Sequence, residues 1–495
     1  MKRQDLPTIR NAQATPCARL PTLSGARFRD TVLRAIEGGS RVSALLTLAP
    51  DAASPTLLAV LADDLAGHLA LVQGRLEPGE AFRAMTPHAP EVHLFERELA
   101  ESGVRVEGHP HLEPVRASPP AATRFVTLGG DGHEVAVGPV HAGIIEPGHF
   151  RFQCLGEDVL QLEIALGYQH RGVERAMVSS PHGDPRRRVH YAETLAGDTT
   201  IGHGTAHALV MEALAATPAP PRGQAIRGIG LELERLANHV GDLGALANDV
   251  AFLPTASYCG RLRGDFLNLT ALVCGSRFGR GLVRPGGVGF DLDAVRRDEL
   301  LDRLRATRAD LRSAIDLLWS ASSVLGRFQE TGRLTRADAD QLGLVGPAAR
   351  ATGAERDVRK DFAFDLYRFV HVPTANWHTG DVFARAYVRQ LEIEHALAYV
   401  EDQLLTLPAG PTRVAAPLDA PLARDHLAVA LVEGWRGELV HLAVTDADGR
   451  LARYKVVDPS FHNWQGLAHA LRDQAISDFP LCNKSFNLSY AGHDL

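Results

Sequence analysis

The stretch from Ala225 to Val250 constrains this chain more than any other. Ile226, Ile229, Leu233, Leu236, Val240, Leu243 and Val250 fall on one stripe with spacings of three and four, the period of an α-helix. Glu232, Arg235, His239 and Asp242 lie off that stripe. A helix of this length that carries several glycines needs tertiary packing, because each interior glycine costs about 1 kcal/mol relative to alanine. Two more long helices are predicted. One runs over Asp298–Gln329, with Leu304, Leu311, Ile315 and Leu318 inward, and the other over Ala384–Leu405. The centre of the fold is therefore expected to be a helical bundle.

Strands are predicted on either side of that bundle. RVSALLTLA, TLLAVLAD and HLALVQGRL are short apolar, β-permissive runs that follow a helix, FRDTVLRAIEGG, ending at Gly38-Gly39. Thr412–Val457 reads as β-rich, with RVAAPL, LAVALVEG, GELVHLAVTD and RLARYKVV, and a turn at Asp446-Ala447-Asp448-Gly449. ASPPAATRF, residues 117–125, has the small residues and proline pair of a linker. The expected class is α+β: a small N-terminal α/β domain over 1–116, then a large, mainly helical domain over 126–495 with a C-terminal β-rich region.

At 495 residues, 45% hydrophobic and 22% charged, the chain suits a globular protein of at least two domains. Its net charge of −7 argues against nucleic-acid binding. No apolar run reaches the roughly 18–20 residues needed to span a bilayer, and MKRQDLPTIR has no apolar core behind it, so no signal peptide is expected. Cys17, Cys154, Cys259, Cys274 and Cys482 are scattered. That spacing suits neither an iron–sulfur cluster nor a structural zinc site, and it is a poor disulfide framework, which points to a reducing compartment. Cys482, in an apolar context, reads as a buried structural thiol. No G-x-G-x-x-G follows a strand, so NAD would have to bind another chain.

A series of motifs adds a resemblance. GPVHAGIIEPGHFRF (Gly138–Phe152), GYQHRGVERAM (Gly167–Met177), RGQAIRGIGLELERLANHVGDLG (Arg222–Gly244), RPGGV (Arg284–Val288), GPAARATGAERDVR (Gly346–Arg359), GDVFARAYVRQLEIE (Gly380–Glu394), EGWRGEL (Glu433–Leu439) and DPSFHNW (Asp458–Trp464) occur in order. Together they resemble the family of nickel–iron hydrogenase large subunits of the membrane-bound type and the 49 kDa subunit of complex I. HLFERELAESGVRVEGHPHLEPVR, with Glu96, Arg97 and Glu98 before His109-Pro110 and Pro114-Val115-Arg116, resembles the end of the complex I 30 kDa subunit. The fusion of the two resembles formate hydrogenlyase (hydrogenase-4 type) large subunits.

The resemblance carries specific expectations. The hydrogenases hold nickel and iron with two cysteine pairs, and the register places these at Thr200 and His203 and at Ser489 and Gly492, none of which is cysteine. No nickel–iron centre is therefore expected, since a soft thiolate set is what such a centre needs. The quinone-binding histidine and tyrosine of complex I fall at Ile145 and Gly197. Quinone would then need other donors, for example His141, His149 or His203. Arg436 matches an arginine that hydrogenases suspend over the metals, and Glu146 a glutamate used for proton exit; an ordinary ion pair is the competing reading for both. His203 and His207, one helical turn apart, could face the same way. With Asp198 they offer a substitute metal site, set against the reading of hydrogen-bonded polar groups in a vestigial cavity. Glu146, His203, His207 and Arg436 are the candidate catalytic, cavity-lining set. His170, Arg171 and Glu174 fall where the family packs on its small subunit.

What the resemblance implies for the whole is a cytoplasmic subunit of a membrane-associated oxidoreductase, peripheral on the inner face of the cytoplasmic membrane. Its expected partners are a small subunit carrying a [4Fe–4S] cluster, a ferredoxin-like subunit and antiporter-like membrane subunits. Electrons would pass from NADH or another donor to quinone or another acceptor, coupled to ion translocation. A non-catalytic scaffold is the alternative, and a nickel–iron hydrogenase the third reading.

Overall fold

The structure, a computed structural model, describes residues 6–49, 53–116, 132–143, 145–179, 184–414 and 420–495. It mixes helices with several small sheets. The expected linker at 117–125 lies outside the described residues.

Near the N-terminus, β1 (Gln13–Pro16) precedes α1 (Gly25–Glu37) and the antiparallel strands β2 (Arg41–Thr47), β3 (Thr56–Asp63) and β4 (His68–Arg75). The three apolar runs pair as predicted, with Arg41 opposite Ala62 and Thr56 opposite Arg75. α1 closes on Gly38, and Gly39 takes a φ of +88° that an L side chain rarely adopts. A second sheet combines β5 (His133–Val137), β6 (His149–Leu155) and β7 (Asp158–Ala165).

Four long helices form the centre: α2 (Thr200–Ala215), α3 (Pro221–Asp249), α4 (Leu253–Cys274) and α5 (Ala294–Ser320). α6 (Val382–Leu405) packs against α3, and the Asp381 side chain caps it by accepting from the Ala384 N–H at 2.8 Å. The helix expected over Asp298–Gln329 is broken. Ala321 is extended (φ −85°, ψ 105°) and a short helix, Ser322–Phe328, follows. The Ser320 hydroxyl donates to the Leu317 carbonyl at 2.9 Å, the local side-chain bond by which serine competes with the helix ladder.

α3 is buried on nearly every side. Its off-stripe residues do not face water: Glu232, Arg235 and His239 are fully buried, and Asp242 is nearly so. Arg235 bonds Glu232 at 2.9 Å and Glu392 of α6 at 3.1 Å; His239 bonds Glu392 at 2.8 Å; Asp242 pairs with Arg389 at 2.9 Å. The glycines allow this close packing. A β-carbon on Gly244 would lie 2.7 Å from Cys259 Cβ.

The C-terminal sheet is antiparallel in the order β10 (Leu451–Val457), β9 (Gly437–Thr445), β8 (His426–Gly434), β1. Asp446 accepts at Oδ1 from the Asp448 and Arg450 N–H groups and forms the predicted turn. Residues 415–419 of the predicted β-rich stretch lie outside the described residues. β1 is one edge strand, with Ala14 opposite Ala428, so residues near the start of the chain complete a sheet built by its last hundred. Asn11 fixes the join, donating to the Phe362 and Leu431 carbonyls at 2.6 and 2.9 Å and accepting from the Leu431 N–H at 2.8 Å. After β10 come α7 (Pro459–Ala470) and α8 (Tyr490–His493). No described helix is long and apolar enough to cross a membrane.

Candidate functional site

α2 lies across β8 and β9, which sets the start of the helix against residues some 240 positions later. His203, one turn into α2, has its Nε2 3.2 Å from Asp458 Oδ2 and its Nδ1 3.0 Å from His441 Nε2. His441 Nδ1 lies 2.7 Å from the Tyr454 hydroxyl, which lies 2.8 Å from His207 Nδ1. All five side chains are buried. Asp458 caps α7, accepting from the Ser460 N–H at 2.8 Å.

Two of the four expected ligand positions meet Asp458, a third is linked to it through Ser460, and the fourth opens a small cavity. His203 bonds the carboxylate. A β-carbon on Gly492 would stand 2.6 Å from its carboxyl carbon. Ser489 caps α8 by accepting from the Gly492 N–H at 2.9 Å, and its own N–H donates to the Ser460 hydroxyl at 2.9 Å. The Thr200 hydroxyl is buried without a partner among the described residues and lines a cavity of about 20 Å³ with Asp198, Glu234 and Asn238. The residues present do not fit a nickel–iron centre. No thiolate stands at any of the four positions, both ring nitrogens of His203 are bonded, and Asp458 fills the space a side chain at 492 would need. Cys482 is buried beside Arg385, Sγ to Nη2 3.9 Å, and burial pushes its thiol up to about 11.

Arg436 holds Asp198 with two bonds of 2.6 and 2.7 Å, donates to the Asn487 carbonyl, and stacks 3.9 Å over the Trp435 ring. Burial opposes ionisation of Asp198, but the Arg436 guanidinium outweighs it and holds the carboxyl below its usual range. Of the two readings of these residues the geometry resembles hydrogen-bonded polar groups more than a substitute metal site: Asp198 pairs with Arg436, while His203 and His207 are joined through His441 and Tyr454 rather than aimed at one point. The donor atoms of His111, Glu113 and Glu163 do lie within 4.8 Å of one another, at a partly exposed position. Glu146 is half-buried and accepts from the Tyr490 N–H at 3.1 Å; burial raises its carboxyl.

The remaining candidates separate. His170 and Arg171 are exposed; His170 donates from Nδ1 to the Asp494 carbonyl at 3.0 Å, and Arg171 donates to the Thr194 and Leu195 carbonyls at 2.8 and 2.7 Å. Glu174 turns inward, accepting from Lys455 Nζ at 2.9 Å and the Val456 N–H at 3.0 Å. Ile145 and Gly197 are exposed. His141 donates to the Gly148 carbonyl at 2.8 Å, and burial lowers half-buried His149.

Sequence reasoning missed Asp458, His441, Tyr454 and Glu234. Glu234 accepts from the Ile201 and Gly202 N–H groups at 2.7 and 3.1 Å, at the start of α2, and burial pushes it up to about 8. The available signal was polarity inside apolar strands. His441 faces Val456 and Tyr454 faces Ala443 across the same strand pair, diagonal neighbours within reach of long side chains.

Comparison with known proteins follows the same outline. The family described as "Respiratory-chain NADH dehydrogenase, 49 Kd subunit" matches residues 249–429 and 423–494. The carbon monoxide-induced hydrogenase of Rhodospirillum rubrum is 30% identical over 356 residues, 72% of this chain and 97% of that protein. Formate hydrogenlyase subunit 5 of Escherichia coli is 29% identical over 375 residues, 75% of this chain but 64% of that protein. NADH-quinone oxidoreductase subunit 4 of Thermus thermophilus is 30% identical over 370 residues, 69% of this chain and 89% of that protein.

Proposed function

Because the chain belongs to the family of the 49 kDa subunit of respiratory-chain NADH dehydrogenase and its hydrogenase relatives, we propose that it is the large subunit of a complex I-like or hydrogenase-4-like oxidoreductase that works without a nickel–iron centre. In this reading residues 1–116 are the 30 kDa-like unit, 117–125 the linker, and 126–495 the 49 kDa-like unit. Partners are a small [4Fe–4S] subunit, which His170 and Arg171 are exposed to meet, a ferredoxin-like subunit and antiporter-like membrane subunits. The complex sits on the cytoplasmic face of the membrane and couples electron transfer, from NADH or another donor bound elsewhere, to ion movement.

One observation carries the reading. Two of the ligand positions, His203 and Gly492, abut an ionised carboxylate, Asp458, which bonds the His203 imidazole at 3.2 Å, where the family's hydrogenases would need thiolates. Burial works against the Asp458 charge, and His203 and Arg436 outweigh it, so the carboxyl lies below its usual range. Such a pair holds and passes a proton. Arg436 lies close enough to favour the Asp458 charge, and Glu146 accepts from the Tyr490 N–H at the start of the helix that carries Gly492.

A second reading, a coupling scaffold with no acceptor of its own, draws support from the size of the cavity. About 20 Å³ admits a water molecule, which needs roughly 10–15 Å³, but not a quinone head. Two measurements on the purified complex decide. Stoichiometric nickel would refute the main reading. Quinone reduction by wild type against His203→Ala and Arg436→Ala separates a redox-competent subunit, which loses rate in both, from a scaffold, which loses it in neither.

A further inference from the structure

The hydrogen-bonded file from His207 to Asp458 has a property that no single pair in it has. Asp458 can only accept while ionised, and each imidazole nitrogen either donates or accepts. Burial, reinforced by Arg188, lowers His207 to about 3; burial, with His203 and His207, lowers His441 well below the imidazole range; and burial raises the Tyr454 phenol. The resting groups are then a carboxylate, a phenol and neutral rings at 441 and 207. One arrangement satisfies every bond with His203 neutral as well. His207 Nδ1–H donates to the Tyr454 oxygen, Tyr454 O–H to His441 Nδ1, His441 Nε2–H to His203 Nδ1, and His203 Nε2–H to Asp458.

This arrangement leaves His207 Nε2 bare. That nitrogen has no hydrogen-bond partner among the described residues, and His207 lines a cavity of about 20 Å³ with Pro185, Arg188, Met211 and Pro285. A proton taken up there from water lets each bridging proton step across its own bond. His207 Nδ1–H passes to Tyr454, Tyr454 O–H to His441 Nδ1, and His441 Nε2–H to His203 Nδ1. The result is His207 protonated at Nε2, Tyr454 donating to His207, His441 donating from Nδ1 to Tyr454, and a His203 imidazolium against the Asp458 carboxylate. One proton has entered, one positive charge has crossed the file, and all four hydrogen bonds survive: the three from His207 to His203 reverse direction, while His203 Nε2–H still donates to Asp458. We propose that His207, Tyr454, His441 and His203 form a proton wire between the cavity beside Arg188 and the Asp458 carboxylate.

The geometry is what the wire needs. The four contacts are 2.8, 2.7, 3.0 and 3.2 Å, and every member is buried, so water does not short-circuit the relay. Charges facing it are Arg188 from helix Pro185–Glu193 at the outer end, Glu174 from helix Val173–Ser179 near Tyr454, and Arg436 near Asp458. The wire deepens the reading of Asp458 and His203 as a proton-holding centre, but it does not depend on which electron acceptor is used.

The test is nitrogen-15 NMR of the histidine rings in the full chain, labelled at histidine. At neutral pH the tautomers of His207, His441 and His203 should fit one of the two concerted patterns above. Ring N–H exchange with solvent at His203 and His441 should slow at least tenfold in Tyr454→Phe, while His239, bonded to Glu392 and off the wire, keeps its rate. A mixed set of tautomers in wild type, or equal exchange in wild type and Tyr454→Phe, overturns the proposal. If Tyr454→Phe does not fold, the wild-type tautomers and the exchange rates in His207→Asn decide in the same sense. Loss of quinone reduction with the exchange result intact would count against the acceptor and not against the wire.

Discussion

Gly492 and Asp458 are pressed together: a β-carbon on Gly492 would sit 2.6 Å from the Asp458 carboxyl carbon and 2.8 Å from both its oxygens. Asp458 is held in turn by the Ser460 N–H and His203, so it has nowhere to retreat without breaking a bond. Gly492→Ala should therefore destabilise the protein by about 1–3 kcal/mol, the usual cost of overpacking. Thermal unfolding checks this, and an unchanged midpoint would show that Asp458 is free to move. Gly492→Cys should behave no better, because the obstacle is the carboxylate rather than a missing sulfur.

Glu392 is the junction of the buried ionic seam. It accepts from Arg350 at 2.5 Å, His239 at 2.8 Å and Arg235 at 3.1 Å, with all four side chains fully buried. Removing one member of such a set strands the others without water, which typically costs 3–5 kcal/mol. Glu392→Ala should lower the urea midpoint accordingly. A loss under 1 kcal/mol would mean that the acceptors the arginines already share, Glu433 for Arg350 and Glu232 for Arg235, are enough to hold them.

Much of this architecture was legible in the sequence, and the reason is periodicity. The stripe on α3, the strand runs of the first sheet and the turn at Asp446 all announce themselves within a dozen residues. The seam on α3 did not, because Glu232, Arg235, His239 and Asp242 read as the polar face of an amphipathic helix until their distant partners are known: residues of α6 for Arg235, His239 and Asp242, 147 to 157 positions away, and Arg359 and Tyr367 for Glu232, 127 and 135 positions away. The candidate site shows the same division. Thr200, His203, Ser489 and Gly492 fall out of the register, whereas Asp458, His441 and Tyr454 meet His203 and His207 only through the packing of α2 on the C-terminal sheet, at separations of 238 to 255 residues. Local patterns find elements, and a relay assembled from four elements has no local pattern.

Glu234 gives the protein a pH dependence in the neutral range. Burial pushes its carboxyl up to about 8, against about 4.3 unfolded. Between those values the folded state holds a proton that the unfolded state has released, so stability falls as pH rises through the window, by up to about 1.4 kcal/mol per pH unit. Glu234→Gln removes the titration and should flatten the slope of stability against pH between 5 and 8. Its amide still offers one acceptor to the Ile201 and Gly202 N–H groups, at a cost of about 1 kcal/mol for the bond lost. Parallel slopes in wild type and variant would place the titration elsewhere.

Asp458 gives the opposite sign at lower pH. Burial opposes its charge but is outweighed by the His203 bond and the Arg436 charge, so its folded value lies below the roughly 3.9 of the unfolded chain. Below 3.9 the unfolded state binds a proton that the folded state does not, so the stability Asp458 contributes is present above that value and lost as pH falls through the folded one. Asp458→Asn keeps an oxygen for the Ser460 N–H, and asparagine caps helices as well as aspartate does. Its amide nitrogen, however, donates where the carboxylate accepted. His203 must then present a bare Nε2 and donate from Nδ1, which turns the whole file to its reversed direction without the extra proton. The variant should cost about 1.5–3 kcal/mol at pH 7, the range for hydrogen bonds to charged groups, and the difference from wild type should shrink steadily below pH 3.9. Histidine-ring NMR of Asp458→Asn should show His441 protonated at Nδ1 and His207 at Nε2. If both rings keep their wild-type tautomers, the direction of the file is set elsewhere than at Asp458.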